Sequence, residues 1–136
     1  MAVDYAYALV QVAHNFGAVA VAGSPAAAWL WVREQRGAPE LLAWLTVSGW
    51  LVQAMSGVGF GLTTYLSRGE LPEVTGLALI ALYIKVACAA AGFSLSLFYL
   101  LAAPQWRGQS QCWIWPGLCA LGITALSAAA FLRWFG

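Results

Sequence analysis

His14 is the single histidine of this chain, and Lys85 is the only charge in about thirty residues between Glu73 and Arg107. An ammonium left alone in apolar surroundings costs several kcal/mol, so Lys85 must neutralise, reach water or find a partner. From the middle of an apolar run its stem is too short to reach water comfortably. A haem iron takes two axial ligands, with histidine the usual first choice, and a neutral, desolvated lysine amine can serve as the second. Two other uses suit the same pair. The ammonium can hold a haem propionate or another anionic group, or the two side chains can relay protons. Other chemistries fail on inventory. The apolar runs contain no carboxylate to complete a catalytic triad, and Cys88, Cys112 and Cys119 show no ligand spacing, which makes them packing residues.

The elements that carry this pair are set by composition. Only 8% of the 136 residues are charged, 62% are hydrophobic, and the mean hydropathy is +0.78. A water-soluble domain carries roughly 25% charge, so the solvent of this chain is lipid. The net charge of +1 and the lack of any basic run exclude nucleic acid as a partner. The start, MAVDYAYALV, lacks the basic segment of a cleaved signal peptide. Four spans are each long enough to cross a hydrocarbon core, which needs about twenty apolar residues. They cover residues 5–32, 41–66, 74–103 and 113–134 of one transmembrane domain. The connections, 33–40, 67–73 and 104–112, are short, so consecutive helices are antiparallel neighbours in an all-α, up-down four-helix bundle. Pro39, Pro72 and Pro116 lie at or near helix starts, while Pro25 falls inside the first span and is expected to kink or shorten it.

This layout places the two residues at one depth. His14 lies about nine residues into the first span, roughly 14 Å, and Lys85 about eleven into the third, roughly 16 Å, both counted from the same membrane face. Gln11, His14 and Asn15 share one side of the first helix, and Gln11 or Asn15 is expected to orient the imidazole. In the second helix Gly49, Gln53, Gly57 and Gly61 recur every four residues. Such a stripe lets a neighbouring helix or a flat ligand come close, and Gln53 is expected to project from it into the bundle. The basic residues flank both faces, with Arg33, Arg36 and Arg107 on one and Arg68 and Arg133 on the other. That excess puts both termini outside, on the periplasmic side if the source is bacterial. Trp29, Trp31, Trp44, Trp106, Trp113 and Trp115 collect at the opposite face as an aromatic belt.

The stretches VQVAHNFGAVAVAG, with His14 and Gly23, and LYIKVACAAAGF, with Lys85, resemble the first and third helices of the HemJ-type protoporphyrinogen oxidase family. That family is similar in turn to the four-helix membrane domain of the copper-resistance protein CopD. The resemblance extends over the whole chain in length and layout. It departs at Val21-Ala22-Gly23-Ser24-Pro25, where the family has a tryptophan before the glycine and an arginine soon after. It implies haem b held by His14 and Lys85, which would also be the metal ligands, with Gln11 and Gln53 nearby. Three functions are consistent with these residues. One is a haem-binding protein of membrane redox chemistry or electron transfer. Another is a cofactor-free accessory subunit of a larger respiratory or photosynthetic complex. The third is a small transporter or copper-handling protein. In each case the partners are the bilayer and either other membrane subunits or further copies of this chain.

Overall fold

In the computed structural model, which describes residues 2–34 and 37–136, the chain forms α1 (Ala2–Arg33), α2 (Glu40–Arg68), α3 (Gly76–Leu101) and α4 (Pro104–Phe135). Arg36, one of the basic residues expected to mark a membrane face, lies outside the described residues. All four helices are long and apolar enough to cross a membrane. Each packs on its sequence neighbour and α1 also packs on α4, so the bundle is a square whose diagonals, α1–α3 and α2–α4, carry no close backbone approach among the described residues. This is the all-α, up-down bundle that the apolar spans and short connections imply.

Two helix boundaries differ from the sequence expectation in a telling way. The last helix begins at Pro104, not Trp113, and only Ala102 and Ala103 separate it from α3. Polar residues 105–111 sit comfortably in a helix once its apolar part is anchored, and Pro104 occupies the first turn, where its missing N–H is no loss. Pro116, expected near a helix start, is therefore inside α4. The connection from α2 to α3 turns instead at Gly69, whose φ of 74° is left-handed and whose N–H caps the carbonyl of Tyr65.

Because lipid is as apolar as a side chain, the helices are held by close packing rather than by exclusion of water. One buried cluster joins Ala28, Ala43, Tyr99, Ile114, Trp115 and Leu118. Trp115 is wholly buried there, edge-on to Tyr99 with ring centroids 4.8 Å apart, and so does not belong to the aromatic belt. Trp29, Trp31, Trp44, Trp106 and Trp113 are exposed as expected. A second cluster joins Val21, Trp50, Cys88 and Ala125.

Pro25 neither ends nor shortens α1, which runs through it for 32 residues. A proline cannot donate to the carbonyl four residues earlier, here that of Val21. Gly122 of α4 is packed against that carbonyl, and a β-carbon at Gly122 would lie 2.6 Å from the Val21 oxygen. Backbone cannot swing aside as a side chain can. Gly122→Ala is therefore expected to cost about 1–3 kcal/mol by overpacking, read as a lower unfolding midpoint in detergent. A variant as stable as the wild type would show that α4 can slide off α1 freely.

Candidate functional site: a histidine–lysine pair across the bundle

His14 ties α1 to both α2 and α3. Across the diagonal of the square, Lys85 Nζ lies 3.2 Å from His14 Nε2. On the other side of the ring, His14 Nδ1 lies 2.7 Å from Ser56 Oγ on α2. The backbone carbonyl of His14 accepts a 2.6 Å hydrogen bond from Gln53 Nε2. Phe60 closes the ring edge-to-face, with centroids 5.3 Å apart, and in turn packs against Tyr7. Interhelical hydrogen bonds of this kind are worth roughly 0.6–2 kcal/mol each in a membrane. Three converging on one residue make His14 the polar knot of the bundle.

Helix geometry explains the convergence. Gln53 and Ser56 are three residues apart on α2 and so face α1 together. Gly17 of α1 clears the way for Gln53, since a β-carbon there would sit 3.0 Å from Gln53 Nε2. Gly49 does the same one turn away, against Ala20 and Val21. Lys85 reaches across from α3 with the length of its own stem, which is why the pair can form although α1 and α3 are not packed together.

The Ser56 hydroxyl favours one tautomer of the imidazole. Ser56 Oγ lies 2.6 Å from the carbonyl of Val52, to which it can donate its one proton. With the proton there, its oxygen accepts from His14 and Nδ1 carries the ring proton. In the neutral ring Nε2 is left with its lone pair, pointing at Lys85, which donates to it. An imidazole held by one nitrogen and presenting the other is the arrangement of a metal-ligating histidine, with Ser56 as the supporting group.

Of the residues singled out from the sequence, His14, Lys85 and Gln53 come together. Gln11 does not join them. Its amide donates to Asn15 Oδ1 at 2.8 Å, and both residues stay at the bundle surface rather than orienting the imidazole. Gln53, expected to project into the bundle, is buried but directs its amide at α1 backbone. Ser56 was not anticipated. Its only signal was its place three residues after Gln53, and serines in membrane helices are too common for that to single it out. The glycine stripe divides. Gly49 touches α1, whereas a β-carbon at Gly57 or Gly61 would meet no neighbouring atom within 4 Å. Among the described residues no three histidine, cysteine or acidic side chains are grouped as they would be to hold a metal ion. Cys88 is buried, Cys112 exposed and Cys119 between the two, all as free thiols.

Fold and site together define a four-helix membrane bundle pinned by a histidine–lysine pair. No family model, curated protein or solved structure matches the chain.

Proposed function

We propose that this protein binds haem b between α1 and α3 and serves membrane redox chemistry or electron transfer. The observation that carries this reading is the meeting of His14 Nε2 and Lys85 Nζ at 3.2 Å, two nitrogen donors brought together from opposite corners of the bundle. The donor set fits the group. His14 presents a lone pair on a ring held by Ser56, and Lys85, in the middle of α3, could meet a propionate or ligate as an amine. Bound haem would supply a one-electron couple whose potential is set by its ligands and surroundings.

This chain's residues would position the group and shield it. The Gln53 bond fixes the backbone at His14, Ser56 fixes the ring, and Phe60 covers its edge. Lys85 would turn from His14 to help hold the group, and its long stem has the rotamer freedom to do so. The resemblance of the first and third helices to the HemJ and CopD families points the same way. Their layout suits a bacterial inner membrane, and the basic excess of Arg33, Arg36 and Arg107 over Arg68 and Arg133 favours both termini periplasmic.

The visible absorption spectrum of protein purified from haem-replete cells is the direct test. A Soret band is expected. Colourless protein with His14 intact would sink the haem reading and leave the accessory subunit, with Lys85 meeting a carboxylate, carbonyl or lipid headgroup of a neighbouring chain. Lys85→Met separates the two roles of the amine. A shifted Soret band is expected if it ligates the iron, and an unshifted band with weaker binding if it pairs with a propionate.

A further inference from the structure

A groove of about 610 Å³ runs along the contact of α1 with α2. Gly17 and Ala20 clear its α1 wall, and from Gly17 to Ala27 it extends ten residues, roughly 15 Å along the helix axis. Phe16 and Val19, which also line it, are exposed, so the groove opens sideways into the bilayer. Its side chains are apolar apart from two hydroxyls, Ser24 on α1 and Ser48 on α2. Gly49 of α2 packs against Val21 of α1, which fixes the register of the two helices. Ser24 is three residues after Val21 and Ser48 one before Gly49. In antiparallel helices the two serines therefore stand within about 3 Å of one level, one from each wall.

These hydroxyls are set apart from the rest. Every other serine and threonine within the four helices, Ser94 excepted, donates to a carbonyl of its own helix. Ser24 and Ser48 have no hydrogen-bond partner among the described residues, although Ser24 is only 8% exposed. A hydroxyl without a partner is costly in hydrocarbon, so the pair is suited to a molecule that brings acceptors. Depth narrows the choice. Ser24 lies nine residues before Arg33 and Ser48 eight after Glu40, roughly 14 and 12 Å from the charged helix ends. The hydrocarbon core is about 30 Å thick, which puts both near its middle, out of reach of phospholipid headgroups. A further helix offers little, since its backbone carbonyls are satisfied within itself. The remaining chemistry is a neutral, lipid-soluble molecule with two acceptors on opposite edges.

The geometry points to a binding site for a lipid-soluble quinone in this groove, with Ser24 and Ser48 donating hydrogen bonds to its two carbonyls and its tail lying along the apolar remainder between α1 and α2. The quinone enters from the bilayer through the open side. The site is separate from the histidine–lysine pair and does not rest on the haem reading, since Ser24 is ten residues, roughly 15 Å, from His14 along α1.

The test is titration of the purified protein in detergent with decylubiquinone, a benzoquinone with a short saturated tail. Binding is followed by quenching of tryptophan fluorescence, and the carbonyl stretch of the bound quinone by infrared spectroscopy. The wild type is expected to bind saturably, with the carbonyl stretch lowered by the two hydrogen bonds. Ser24→Ala and Ser48→Ala are each expected to bind about three- to ten-fold more weakly and to return part of the carbonyl band to its free position. Gly23 also lines the groove, and a β-carbon there would meet no atom within 4 Å. Gly23→Leu is thus expected to keep the unfolding midpoint of the wild type and, by filling the groove, to bind about ten-fold more weakly or worse. Should that variant not fold, the two serine variants decide. Ser94→Ala, outside the groove, and His14→Ala are expected to bind as the wild type does. A wild type without saturable binding, or groove variants that bind normally, would overturn the inference. So would displacement of the quinone by phospholipid, which gives the groove to an acyl chain. A dimer that Gly23→Leu splits into monomers would give it to a second copy of the chain and overturn the inference equally.

Discussion

Replacing His14 with alanine is expected to abolish haem retention, a loss of at least a hundred-fold in hemin affinity and, in protein purified from haem-replete cells, of the Soret band altogether. The size of the effect follows from inventory and geometry. There is no second histidine to take over, and the thiol of Cys88 is buried in the Trp50 cluster. The fold should outlast the change, because the Gln53 bond ends on the backbone carbonyl at position 14 and persists with any side chain there. What disappears is the ring, with its contacts to Ser56, Lys85 and Phe60. Two accompanying measurements separate ligand loss from a fold defect. Helicity by circular dichroism should be unchanged, and His14→Met, which restores an axial ligand of another kind, should recover part of the binding with an altered spectrum. Hemin binding by His14→Ala equal to that of the wild type would remove His14 from the site.

The largest effect on stability is expected at Gly92. Any β-carbon there would coincide with the ring of Trp50, which is 1% exposed and hemmed in by Val21, Cys88 and Ala125. A flexible side chain could yield, but a buried indole among three other helices has nowhere to turn. Gly92→Leu is therefore expected to cost about 3 kcal/mol, the upper end for overpacking, and to part α2 from α3. The loss should appear as a much lower unfolding midpoint in detergent. It should also be specific. Trp50→Ala combined with Gly92→Leu should be closer to the wild type than the two single changes would predict, because the cavity left by one receives the other. Additive losses would mean that the two residues do not share the interface.

The pair His14 and Lys85 and the pair Gly49 and Gly57 show why some of the site was legible in the chain and some was not. That His14 and Lys85 meet could be read in advance, because depth in a membrane helix is a count of residues and the two counts agree. The helices were equally plain, since chemical monotony over twenty residues has few physical outcomes in lipid. Glycine spacing is different. Gly49 and Gly57 are indistinguishable by pattern, both part of one four-residue repeat, yet the first is jammed against Ala20 and the second meets nothing. Eight residues carry the repeat about 80° around α2, so Gly49 faces α1 and Gly57 does not.

Sequence alone determined a lipid-soluble, all-α bundle, the antiparallel order of its four helices and the shared level of an imidazole and an amine. These follow from hydropathy, span length and rise per residue, all of which are local. Only the tertiary structure decided that Ser56 rather than Gln11 or Asn15 holds the ring, that Gln53 is spent on backbone, and that Trp115 is core rather than belt. It also decided that the ring of Trp50 fills the space beside Gly92, while Gly57 meets no neighbour. Each depends on the rotation of one helix about its axis relative to the next. Rotation is fixed by how side chains interlock across the bundle, and no run of residues along a single helix carries that information.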